Sequence, residues 1–356
     1  MKQNRLQKII ETLPEKTAVL VTSAAARRYL TGFASSAGVV VVTYAGGWFF
    51  TDFRYIEKAR QTVTSCAVVE AKKTAQQVGE LLKKQGVTRL LVETRDLSVS
   101  AFEDWQKKLP EIKLLNEDTL DRKLAQLRAA KDGEELSLIR AAQQITDAAF
   151  SHILTVIREG KTEREIALEL EFFMRQNGSE GVAFDTIAVS GKNSSLPHGV
   201  PSEKPLEKGD FLTMDFGAVY GGYCSDMNRT VAIGAVDDEQ KRVYETVRQA
   251  QEAAFQTLRA EVSGKAVDRA ARAVIEAAGY GEAFGHSLGH SVGLEIHEFP
   301  VAAPSAETPL PKGTVLTVEP GIYLPERFGV RIEDMVFITE EGYENLTNSP
   351  KELIIL

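Results

Sequence analysis

The stretch FLTMDFGAVYGGYCSDMNRTV, Phe211–Val231, reads as two strands folded on one another. FLTMDFG and YCSDMNRTV carry the apolar and β-branched residues of buried strands, and Val219-Tyr220-Gly221-Gly222 between them is a glycine-containing tight turn. With Tyr220-Gly221 as the two-residue loop, Asp215 falls directly opposite Asp226. Like charges facing one another destabilise a sheet, so the pattern calls for a cation between them or a raised carboxyl pKa.

The same device recurs downstream. TVLTVE (Thr314–Glu319) and GVRIEDMVF (Gly329–Phe337) are strands around a loop centred near Glu326, which sets Glu319 opposite Glu333. Between the two acidic hairpins lies FGHSLGHSVGLEIHE, Phe284–Glu298, with three of the chain's five histidines. Gly285, Gly289 and Gly293 argue against a regular helix there and for backbone passing close to a neighbour. Taken singly, acidic residues in strands are usually solvated or salt-bridged. Together these stretches supply five ligands: Asp215, Asp226, His290, Glu319 and Glu333. Oxygen-rich donors with one imidazole suit Mn²⁺, Co²⁺ or Zn²⁺ better than copper. The two cysteines, Cys66 and Cys224, form neither a disulfide framework nor a CxxC site.

Outward from this core, periodicity predicts two helices followed by strands, twice over. Leu138 to Ile153 repeats at helical spacing after Asp132 and Glu135, and Thr162-x-x-Glu165 opens a second helix with a capping box. Val243 to Leu258 and Lys265–Ala278 repeat the pair, which suggests an internal duplication. The first 122 residues differ. A helix over Asn4–Leu13, a strand at Thr17–Thr22 and a hairpin around Ala45-Gly46-Gly47 precede helices and strands in alternation, the mark of an α/β layer of about 120 residues. The charged, alanine-rich run at 123–131 is expected to be the connection, leaving 132–356 as the second domain.

A chain of 356 residues exceeds one comfortable core, so two domains are expected. A net charge of −8 argues against nucleic acid or an anionic membrane as partner. With 43% hydrophobic residues, no membrane-length apolar run and no apolar leader at the start, a globular protein in the cytoplasm is expected.

MDFGAVYGGYCSDMNRT, GHSLGHSVGLEIHE, TVEPGIY and RIEDM resemble the metallopeptidase family that contains proline dipeptidase, aminopeptidase P and methionine aminopeptidase. The resemblance covers about Glu135 to the C-terminus. It implies an α+β chain with a duplicated, "pita-bread" catalytic domain, here preceded by the smaller α/β domain of the creatinase and prolidase branch. It implies two divalent ions, most simply Mn²⁺, held by the five ligands, with Asp226 and Glu333 bridging and Glu319 also shuttling protons. His198 matches the histidine beside the substrate amide, and His297 the one that stabilises the tetrahedral intermediate. By the same resemblance, His286 and Tyr323 would line the pocket. Arg331 would meet either the substrate carboxylate or a ligand carboxylate. Ser291 departs from the pattern, since many relatives have glycine there. The implied reaction is hydrolysis of the Xaa-Pro bond of dipeptides by a homodimer. Aminopeptidase P acting on longer peptides is the alternative. A creatinase-like amidinohydrolase or a binding module without catalysis fits less well, because all five ligands are in place.

Overall fold

The computed structural model describes residues 2–356, which form two compact units dividing at Arg128 and Ala129. The first unit runs α1 (Lys2–Ile10), β1 (Thr17–Val21), α2 (Ala24–Thr31), β2 (Val39–Thr43), β3 (Gly46–Thr51), α3 (Ile56–Thr62), β4 (Ala67–Glu70), α4 (Thr74–Lys84), β5 (Arg89–Val92), α5 (Val99–Lys108), β6 (Lys113–Leu115) and α6 (Thr119–Ala129). Its sheet has the order β4-β3-β2-β1-β5-β6, with β1–β2 and β2–β3 antiparallel and the other pairs parallel. Ala18, Leu20, Val41, Leu82 and Leu90 are among the residues that close its core. This is the expected α/β layer, with three differences. Helix α2 is additional: the Ser23 hydroxyl caps Ala26 and Gly32 ends the helix at φ 72°. The β2–β3 loop is Tyr44-Ala45, and Gly46 and Gly47, expected in the turn, open β3 instead. The stretch read as a connection is largely helical, as α6.

The second unit opens with α7 (Gly133–Ile153) and α8 (Glu163–Gln176), both started by capping boxes, Asp132 with Glu135 and Thr162 with Glu165. There follow β7 (Ile187–Ser190), β8 (Phe211–Phe216), β9 (Val219–Tyr220), β10 (Tyr223–Cys224) and β11 (Met227–Ala232). The second half repeats the order: α9 (Asp238–Thr257) and α10 (Gly264–Ala277), then β12 (Gly289–Ser291), β13 (Glu298–Ala302), β14 (Val315–Val318), β15 (Gly321–Leu324), β16 (Phe328–Arg331), β17 (Asp334–Ile338) and β18 (Tyr343–Asn345). Each half has its own core. Ile153, Ile166, Leu170 and Met174 of the first helix pair pack with Leu212, Met214 and Val231 of the sheet β11-β8-β7. Val243, Val247, Ala271 and Ile275 pack with Leu316, Val318 and Val336 of the sheet β13-β12-β14-β17-β18. The chain is thus a two-domain α+β protein with a pita-bread second domain. Among the described residues no helix is long and apolar enough to cross a membrane.

Candidate metal centre

The first acidic hairpin turns at Gly221-Gly222, whose φ angles of 55° and 80° lie in the left-handed region that glycine tolerates. This corrects the expected Tyr220-Gly221 loop and shifts the register by two. Asp215 faces Asn228, and Asp226 sits in the break between β10 and β11. A shift of two keeps every side chain on its face, because strands alternate with period two. Both carboxylates therefore still enter one site, diagonally instead of head-on. The break exists because the strands close up: a Cβ on Gly217 would lie 1.9 Å from the Ser225 carbonyl oxygen.

The second hairpin keeps the expected register across an interruption. Val318 pairs with Asp334 and Gly321 with Arg331, so Glu319 and Glu333 oppose each other where the ladder passes from β14–β17 to β15–β16. The candidate ligand residues also stitch the three stretches together. Glu333 N–H donates to the Asn228 carbonyl at 3.1 Å, and Glu319 N–H to the Leu288 carbonyl at 2.9 Å. Gly289 lets β12 approach closely, since a Cβ there would lie 2.0 Å from the Thr317 carbonyl oxygen. The Thr317 hydroxyl then accepts from His290 N–H at 3.0 Å and donates to Glu319 Oε1 at 3.0 Å. Sequence reading missed Thr317, although its place two residues before Glu319 on a strand puts it on the same face.

His290 Nε2 lies 3.6 Å from Asp226 Oδ2 and 3.5 Å from Glu319 Oε1, and its Nδ1 faces the Ser291 carbonyl at 3.2 Å. Ligand atoms of Asp226, His290 and Glu333 all fall within 4.8 Å of one another. Around them, Arg331 Nη2 donates to Asp215 Oδ2 at 2.6 Å, while Nη1 donates to the Tyr323 hydroxyl at 2.6 Å and the Pro197 carbonyl at 3.2 Å. His286 Nε2 is 3.0 Å from that hydroxyl. His297 is exposed, with its ring 4.3 Å from that of His290. His198, also exposed, follows the Pro197 that Arg331 holds. The fifth histidine, His152, stands outside this group, stacked on Phe173 at 4.3 Å.

Burial dominates the electrostatics. It pushes Glu319 up to about 8, with Asp215 adding to the rise and Arg331 opposing it. Asp226 and Glu333 are raised by burial first and then by neighbouring carboxylates. His290 is pushed down to about 4 by burial and then by His297, and His286 to about 4 by burial and then by Arg331. Tyr323 rises to about 12, again chiefly through burial.

These residues fit divalent cations. Both oxygens of Glu333 and Oδ1 of Asp215 are buried without a hydrogen-bond partner among the described residues. Buried acceptors left unpaired cost roughly 1–3 kcal/mol each, more when charged. A cation among them answers that deficit, and the donors are the hard oxygens and single imidazole such ions take.

Residues 137–340 match the Metallopeptidase family M24, and residues 4–129 match the Creatinase/Prolidase N-terminal domain. The chain belongs to metallopeptidase family M24. Within the family it is 38% identical to an Xaa-Pro dipeptidase of Pyrococcus furiosus, over 99% of this chain and 100% of the other. A solved Xaa-Pro dipeptidase from Bacillus anthracis, 41% identical, superposes with a TM-score of 0.96 over the whole of both chains. A solved X-Pro aminopeptidase from Thermotoga maritima, 38% identical, superposes with a TM-score of 0.91 over 98% of this chain and 100% of the other. As an M24 metallopeptidase the chain is a hydrolase that works with divalent metal ions.

Proposed function

We propose that this M24 enzyme hydrolyses the Xaa-Pro bond of dipeptides. The observation that carries the reading is the cluster of buried carboxylate oxygens with no hydrogen-bond partner, beside Glu319 and three further histidines. The full-length likeness to Xaa-Pro dipeptidases supports the substrate. Asp215, Asp226, His290, Glu319 and Glu333 would hold two ions, with Mn²⁺ favoured by the oxygen-rich set. Bound divalent ions supply Lewis acidity, polarising the scissile carbonyl and lowering the pKa of the attacking water.

The chain's own groups do the rest. Glu319, steered by the Thr317 hydroxyl, accepts the proton of that water and returns it to the proline nitrogen, which leaves as the amine. His297 donates to the developing oxyanion, an interaction worth roughly 3 kcal/mol in comparable sites. His198 flanks the substrate amide from the exposed side, and His286 with Tyr323 walls the pocket that takes the proline ring. A homodimer, which rests on the family resemblance, and a cytoplasmic location, which rests on the composition, belong to the same reading.

One observation favours a second reading, release of the N-terminal residue from longer Xaa-Pro peptides. The Arg331 guanidinium is engaged by Asp215, Tyr323 and the Pro197 carbonyl. A strict dipeptidase needs a cation free to grip the product carboxylate. Turnover of an Xaa-Pro dipeptide beside its C-terminal amide, with Mn²⁺ added, separates the two. Loss of turnover on amidation supports the dipeptidase, and equal turnover supports the aminopeptidase.

A further inference from the structure

We infer that Lys131 is a positioning residue for His297, acting through a buried ion pair with Glu298; the inference rests on the oxyanion role proposed for His297. Lys131 Nζ donates to Glu298 Oε2 at 2.9 Å, and the two side chains are only 1% and 4% exposed. Taking both charges out of water costs about as much as their attraction returns, so such a pair does little for stability. What it can do is hold one arrangement in place.

The arrangement is the loop 292–297. Glu298 follows His297, begins β13 and pairs across the sheet with Ser291, the residue after His290. Its Oε1 accepts from Glu295 N–H at 3.1 Å. Gly293 packs on the same carboxylate, where a Cβ would lie 2.5 Å from Oε1. The carboxylate thus fills the inside of the loop, which is closed by Gly293 N–H to the Glu295 carbonyl at 3.0 Å. Cys224 N–H to the Gly293 carbonyl, at 2.8 Å, ties the loop to β10. The loop ends at His297, whose ring lies 4.3 Å from that of His290 at 71°. The cation comes from a fixed point of the chain, because Lys131 N–H donates to the Gly313 carbonyl at 2.8 Å. The contacts that join Lys131 and Glu298 to the site run through this loop.

The test uses the full chain with Mn²⁺ and an Xaa-Pro dipeptide. Lys131→Met and the paired change Lys131→Met with Glu298→Leu are each combined with His297→Ala. The paired change fills the space without leaving a buried charge, so its melting temperature should stay near that of the parent. Both variants should lose roughly 10-fold in kcat with little change in KM, as expected when a catalytic group is displaced. In the His297→Ala background the same changes should add no further loss. A full further loss in that background, or parental kcat for the paired change, overturns the inference alone. Parental turnover of His297→Ala overturns the role of His297 and the inference with it. Failure of both Lys131 variants to fold also overturns it, by showing the pair to be a stability element.

Discussion

Arg331 donates to the Asp215 carboxylate at 2.6 Å, with both residues buried, so of the two partners expected for this guanidinium, the substrate carboxylate and a carboxylate of the candidate metal centre, it holds the second. Lysine in its place keeps one charge but cannot span Asp215 and Tyr323 together. Arg331→Lys should therefore lower kcat/KM at least about 10-fold, and by the same factor for an Xaa-Pro dipeptide and for its C-terminal amide. A loss confined to the free dipeptide would show that Arg331 meets the substrate after all.

Replacing Glu319 by glutamine retains its size and one ligand oxygen but removes the proton acceptor. Turnover should fall roughly 100-fold or more with KM nearly unchanged. Steady-state kinetics on the Mn²⁺-loaded protein check this, and parental kcat would remove Glu319 from proton transfer.

Stability should depend on pH differently with and without metal. In the metal-free chain Glu319 titrates at about 8 when folded and near 4.5 when unfolded, so the folded state binds the extra proton between those values. Stability then falls as pH rises through that window. His286 and His290, pushed down from 6.5 to about 4, act in the opposite sense below pH 6.5, where the unfolded chain binds more protons. Above 6.5 only the raised carboxyls remain, Glu319 with Asp226 and Glu333, and all act in the same sense, each with a slope of up to about 1.4 kcal/mol per pH unit. The melting temperature of the stripped protein should fall from pH 6.5 to 8, and saturating Mn²⁺ should both raise it and flatten the slope. A flat profile for the stripped protein would contradict the burial of Glu319.

Gly289→Ala forces a methyl against the Thr317 carbonyl, 2.0 Å away, and pushes β12 from β14. Overpacking of this kind costs roughly 1–3 kcal/mol, and here it also drags His290 out of line. Elemental analysis should find less than the full metal complement, together with a lower melting temperature. Full loading at parental stability would show that the close approach is dispensable.

Some of this architecture is legible in the chain and some is not, for physical reasons. The Glu319–Glu333 opposition could be read directly, because the strands on both sides of the interruption share one register. The Asp215–Asp226 pairing was misread by two positions. Tyr220-Gly221 and Gly221-Gly222 are both acceptable turns on paper, and only the tertiary fit chooses the second. The error spared the site because an even shift preserves the face. Helix α2 spans only eight residues, too few for its apolar repeat to show, and its surest signs are its ends, Ser23 and Gly32. Lys131 and Glu298, 167 positions apart, have no local pattern that could announce their meeting.

The distribution of imidazoles makes the protein its own spectroscopic reporter. Four of the five histidines gather at one centre, and the fifth, His152, lies flat against Phe173 with an interplanar angle of 13°. Ring current from Phe173 should carry the His152 proton resonances upfield and away from the rest, giving a built-in reference. Nearly every other imidazole line in a proton spectrum then reports on the centre itself, without isotopic labelling of any single site. Titrating in a diamagnetic ion such as Zn²⁺ would follow loading at His290 while His152 stands still.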